Sequence, residues 1–192
     1  MDTHLSNAIA FLNHIGLKTT IVDDATGFVA HCRIVEGSLE VDLRCPVSDL
    51  LHEAGHLAPC PAQFRHLFSG NIGHGQKALM SEISRLSLPP DHPLSRAALQ
   101  TGEAEATAWS WSAGIFLGIP HELIIQDAAF YGDGALERLR LLTSSHYGIN
   151  GLQHAGLCRV RESSVRKDLP VYPSLAFWLQ PAIEPLTEKV YG

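Results

Sequence analysis

Apolar residues open the chain at helical spacing. Leu5, Ala8, Ile9, Leu12 and Ile15 share one face and Gly16 follows, which predicts an amphipathic helix over residues 3–15. The period then shortens. Thr19 to Val22 is a β-branched run, and the stretches Phe28 to Val35 and Leu39 to Leu43 lie on either side of Glu36-Gly37-Ser38. Val41 and Leu43 alternate with Asp42 and Arg44, the pattern of a half-buried strand, and the Gly-containing turn predicts a hairpin. Pro46-Val47-Ser48 breaks the strand. Ser48 or Asp49 can cap a helix that runs from Leu50 through Leu57, and Pro59 and Pro61 end it.

Residues 62–92 are rich in loop signals, with one short helix expected near Lys77 to Leu86. A second strong helix falls between Pro93 and Leu117, with GEAEATAWSWSAGIFLG as its core. Two further helices are expected over His121 to Phe130 and Ala135 to Ser144. Together these elements predict an α+β fold: a small antiparallel sheet of about three strands packed on a helical bundle. A chain of 192 residues fits a single domain with a sizeable core. Within it, 121–167 reads as a helical C-terminal portion and 168–192 as an irregular tail packed by Tyr172, Phe177 and Trp178.

Composition narrows the function classes. A net charge of -6 gives no electrostatic case for wholesale binding to nucleic acid or to an acidic membrane. The most apolar run, Ala113 to Pro120, is too short to span a bilayer. No basic residue precedes Lys18, so the start lacks the charged region of a signal peptide. Cys32, Cys45, Cys60 and Cys158 form no CxxC pair and read as buried thiols, which points to a reducing cytoplasm.

Of eleven histidines, only one pair has an informative spacing. His52-Glu53-Ala54-Gly55-His56 matches H-E-x-x-H on the predicted helix. Residues four apart lie on one helix face, so both imidazoles can reach one ion, while Glu53 is turned by about 100° and can act on a water at the ion's open side. Zn2+ suits two His and a carboxylate best. The pattern therefore predicts His52 and His56 as metal ligands and Glu53 as general base. By contrast His121-Glu122-Leu123-Ile124-Ile125 has Ile in place of the second His and reads as no site. A zinc deaminase is excluded: Gln63 stands where the second Cys of P-C-x-x-C belongs, and Ala54 occupies the Glu position.

The third ligand must come from another element. Glu103 and Glu105 are two apart on a helix and face different sides. Glu105, followed by Ala106, Ala108 and Trp109, is the choice. Glu103, nearer the helix start, is left for solvent, for the helix dipole or for a ligating His. His66, His74 and His92 are rivals in the intervening segment. Tyr131, His121, His146 and Tyr147 are candidate donors to a developing oxyanion. An alternative reading is a metal-binding regulatory or interaction module without hydrolase activity, whose Arg159, Arg161, Arg166 and Lys167 contact nucleic acid or an acidic partner.

The order of elements and motifs resembles the ImmA/IrrE-type zinc metallopeptidases. His52-Glu53-Ala54-Gly55-His56 after a hairpin is similar to that family's motif helix. Glu103-Ala104-Glu105-Ala106-Thr107-Ala108-Trp109-Ser110, closing on Leu117-Gly118-Ile119-Pro120, is similar to its E-x-E-A-N-x-F-A stretch and apolar-Pro step. Thr107 stands where the family has Asn, and the stretch from His56 to Glu105 is longer than is usual there. The resemblance implies a zincin, with Glu105 as third ligand by carry-over, acting on a protein or peptide substrate that includes transcriptional repressors.

Overall fold

The structure is a computed structural model and describes residues 2–89, 91–162 and 166–185. It is an α+β fold, with a three-stranded sheet set against a helical assembly. Helix α1 spans Thr3–His14; the side chain of Asp2 caps it by accepting from the His4 N–H at 2.9 Å, and Leu5, Ala8, Ile9 and Leu12 form its buried face.

Strands β1 (Thr19–Ile21), β2 (Cys32–Val35) and β3 (Ser38–Val41) follow. β2 and β3 form the expected antiparallel hairpin, with Cys32 opposite Val41 and Val35 opposite Ser38. Its two-residue turn, Glu36-Gly37, has both residues at positive φ, which matches the twist of the strands. The sheet is mixed rather than wholly antiparallel. Its order is β1-β3-β2, and β1 joins β3 in parallel because residues 22–31 carry the chain across to the far side of β3.

Helix α2 (Val47–Leu57) begins after Pro46, so Ser48 and Asp49 lie in its first turn instead of capping it. Its apolar positions Val47, Leu50, Leu51, Ala54 and Leu57 are buried. A 3-10 turn (Ala62–Leu67) leads to α3 (Ile72–Arg85), which starts earlier than its sequence pattern suggests. The strong helix expected between Pro93 and Leu117 is α5 (Glu103–Phe116), which coincides with its expected core; a short helix, α4 (Pro93–Ala98), precedes it across the loop Leu99 to Gly102. The region expected as one helix from His121 to Phe130 is also shorter. It holds a turn, α6 (His121–Ile124), and a second short turn, α7 (Ala129–Gly132), in which Phe130 and Tyr131 take left-handed backbone angles. Helices α8 (Gly134–Leu142) and α9 (Gly148–His154) complete the set.

α2 occupies the centre. It packs chiefly on α5 and also touches α1, α6 and the sheet. Segment 170–180 has no regular structure and closes over α5: the Tyr172 hydroxyl donates to the Ala108 carbonyl at 2.9 Å, and the Trp109 indole donates to the Trp178 carbonyl at 2.9 Å. Residues 186–192 of the expected tail, and 163–165 of the expected helical portion, lie outside the described residues. Among the described residues no helix is long and apolar enough to cross a membrane. All four cysteines are free and buried, and burial pushes the Cys60 and Cys158 thiols up to about 12.

Candidate metal centre

α2 presents His52 and His56 one turn apart, with ring centroids 4.9 Å apart and planes nearly perpendicular. The start of α5 is brought up to them because α2 and α5 approach closely at Gly55 and Ala106. Glu103, the first residue of α5, then meets both rings. Its Oε2 lies 3.0 Å from His52 Nε2, and its Oε1 lies 3.5 Å from His56 Nε2. One ligand atom from each of the three residues falls within a 4.8 Å group.

The donor set fits a metal ion. Ligand atoms about 2.05 Å from one tetrahedral ion lie about 3.3 Å apart; the two Glu103 oxygens lie 3.0 and 3.5 Å from the His52 and His56 Nε2 atoms, and one atom from each residue lies within 4.8 Å of the others. The tautomer of His56 is also set. The Thr101 carbonyl lies 3.2 Å from His56 Nδ1 and only accepts, so Nδ1 carries the proton and Nε2 presents a bare lone pair to Glu103. The site is graded in exposure: His56 is 2% exposed, the His52 side chain 25% and the Glu103 side chain 70%. Burial holds the His56 imidazolium down to about 4, so His56 is neutral at physiological pH. Contact with His52 holds the Glu103 carboxyl below the usual carboxylate range, leaving it charged.

Glu53 lies on the same helix but is only 3% exposed. Burial, opposed by His52, raises its carboxyl to about 7. It lines a cleft of about 440 Å³ together with His52, His56, Glu103 and Gln76. A second cleft, of about 430 Å³, is lined by the same His52 and Glu103 together with Asp49, Ile124, Ile125 and Phe130. His52 and Glu103 thus line both clefts.

Glu105, the expected third ligand, is not part of this group, and Glu103 stands in its place. Its carboxylate reaches back over the start of α5: a Cβ on Gly102 would lie 2.9 Å from Glu105 Oε2, and burial raises its carboxyl against the pull of the nearby backbone N–H groups of Gly102 and Glu105. Gly102 is the N-cap and Glu105 the third helical residue, the position of a capping-box carboxylate. The other face of its side chain lies against Gly151 of α9. The Gly-x-x-Glu spacing before an apolar run was the signal that separates the two glutamates, because it assigns Glu105 to the helix end and frees Glu103.

The rivals stay apart from the group. His66 and His74 are exposed, and His92 is buried where its Nδ1 accepts from the Leu94 N–H at 3.1 Å. Of the candidate oxyanion donors, His146 and Tyr147 line a cavity of about 60 Å³ beside Glu103. His121 instead packs on Trp111, with ring centroids 4.8 Å apart, and Tyr131 is exposed. Arg159 pairs with Glu162 and Arg166 with Asp168, both at 3.0 Å. Thr101 and Gln76 gave no sequence signal, since Thr101 acts through its backbone carbonyl, to which Gln76 also donates at 2.9 Å.

Comparison with known protein families, with characterised proteins and with solved structures finds no match for this chain.

Proposed function

We propose that the chain is a zinc-dependent peptidase in which His52, His56 and Glu103 hold the metal and Glu53 is the general base. The observation that carries this reading is the convergence of Glu103 on both histidines of an H-E-x-x-H helix, with Glu53 lining the same cleft. Zinc held at such a site lowers the pKa of a water to about 7 and polarises a carbonyl. The chain's own residues do the rest. Thr101 fixes the His56 ring so that its bare nitrogen faces the site. The Glu53 carboxylate takes a proton from the attacking water and passes it to the leaving amine. The two clefts give a polypeptide room on both sides of the reacting bond.

A regulatory protein as substrate is in keeping with the resemblance to ImmA/IrrE-type metallopeptidases, and a cytoplasmic setting with the four unpaired cysteines.

The test is zinc content of the untagged protein, paired with hydrolysis of a library of internally quenched peptides. About one zinc per chain, lost in His52→Ala and Glu103→Ala, is the expected result. Glu53→Gln is expected to keep the zinc and lose hydrolysis. Absence of zinc from the wild type even after zinc is added overturns the reading. Zinc without cleavage of any peptide favours a metal-binding module that is not a hydrolase.

A further inference from the structure

The two clefts beside His52 and Glu103 combine apolar walls with acidic groups. One is walled by Ile124, Ile125 and Phe130, with Asp49 also on its lining. The other is walled by Phe28, Val29 and Ile72. Charged groups lining either cleft are Asp49, Glu53 and Glu103, and among the described residues neither is lined by Lys or Arg.

The wall at Phe130 is held in place by its own loop. Arg138 donates to the Ile125 carbonyl at 2.5 Å and pairs with Asp127, and the Gln126 amide donates to the Ser48 hydroxyl at 3.3 Å, tying the loop to the start of α2. Phe130 and Tyr131 then turn the chain at φ 55° and 60°, left-handed angles uncommon for bulky residues, and this turn places the Phe130 ring on the cleft. A backbone held against its own preference at the rim of a candidate site points to a positioned side chain.

From these features we infer that the substrate is an internal stretch of polypeptide, bound across both clefts, with a large apolar side chain seated against Phe130, Ile124 and Ile125. The inference rests on the peptidase reading above. Clamping a terminal carboxylate calls for a guanidinium or ammonium group, which neither lining supplies. The acidic groups repel carboxylate side chains near the bond. The apolar wall rewards aliphatic ones, by about tenfold or more for a leucine-sized group over a methyl.

The experiment uses zinc-loaded full-length protein and two blocked hydroxamate series: N-acetyl amino-acid hydroxamates and succinyl hydroxamates closed by a methylamide. These point the side chain to opposite sides of the ion. Each series carries an isobutyl, a methyl or a carboxymethyl group, and dissociation constants are measured by calorimetry. In one series the isobutyl compound is expected to bind about tenfold tighter than the methyl compound, with the carboxymethyl compound weakest. Unblocked analogues are expected to gain nothing. Phe130→Ala, at a partly exposed position, is expected to remove most of the isobutyl advantage over the methyl compound.

Binding without side-chain preference in either series, a gain from a free terminus, or a preference untouched by Phe130→Ala overturns the inference and leaves the metal reading intact. A protein that takes up no zinc overturns the metal reading and the inference with it. The preference measured in the wild type is independent of how the variant folds.

Discussion

Gly55 of α2 lies against the backbone of Ala106 of α5, so closely that a Cβ at position 55 would sit 2.5 Å from the Ala106 carbonyl oxygen. This contact brings the first residue of α5 within reach of two histidines on α2. Gly55→Ala therefore has to push the helices apart. Overpacking of this kind costs about 1–3 kcal/mol, and the separation also draws Glu103 away from His52 and His56. The expected outcome is a lower denaturation midpoint together with weaker zinc affinity. Gly55→Ala with unchanged zinc affinity contradicts this account of the helix crossing.

Two glutamates two residues apart are predicted to behave oppositely. Glu103→Ala is expected to weaken zinc binding at least tenfold, the scale of losing one ligand or its orienting partner, with little loss of stability because its side chain is largely exposed. Glu105→Ala is expected to leave zinc affinity near that of the wild type and to cost about 1 kcal/mol through the lost helix-end bond. Titration with zinc and urea unfolding of both variants decide it, and the reverse pattern restores Glu105 as the ligand.

Zinc is expected to raise the melting temperature of the metal-free protein. A ligand that binds only the folded state stabilises it by about 4 kcal/mol when its free concentration is 1,000 times its dissociation constant. Scanning calorimetry with and without chelator measures the shift. His52→Ala and Glu103→Ala should each abolish most of it, whereas Glu53→Gln should retain it.

Acid should also act on the sheet end of the molecule. Asp42 accepts from the Arg44 guanidinium at 2.8 and 2.6 Å, from the Arg44 N–H at 2.9 Å and from the Asp24 N–H at 2.8 Å, and the Arg44 contacts hold its carboxyl well below the usual carboxylate range. A carboxyl depressed in the folded state contributes stability above its unfolded value, near pH 4, and that contribution is lost as the pH falls further. The wild type should therefore lose stability more steeply below about pH 4 than Asp42→Asn, which should be less stable at neutral pH. Parallel slopes for the two proteins in urea unfolding at stepped pH would argue against this role.

Much of the frame was legible because it follows from period and punctuation. The 3.6-residue spacing of Leu5 to Ile15 and the change to alternation around Val41 mark α1 and β3, and Glu36-Gly37 marks the hairpin turn. His52 and His56 were legible because their spacing on a helix already implies a shared face. Three features were not. The parallel pairing of β1 depends on where residues 22–31 route the chain, which local patterning does not encode. The break between α4 and α5 depends on a loop whose value lies in a backbone carbonyl, that of Thr101. That Glu103 and not Glu105 meets the two histidines escaped a reading that weighed the apolar neighbours of Glu105 above its place three residues after a capping glycine. Burial of a helix face says little about a side chain in the first turn, where the free N–H groups compete for any carboxylate.

The Thr101 carbonyl has one further consequence. It accepts from the His56 ring on α2 and from the Gln76 amide on α3, and Gln76 lines the cleft that Glu53 also faces. Two donors on one oxygen weaken each other, because each withdraws electron density that the other uses. A peptide group that draws the Gln76 amide to itself leaves the oxygen to the imidazole alone. The ring bond then strengthens, and its far nitrogen becomes a better electron donor. On the peptidase reading, filling the cleft is therefore expected to tighten the hold on the ion through that single oxygen.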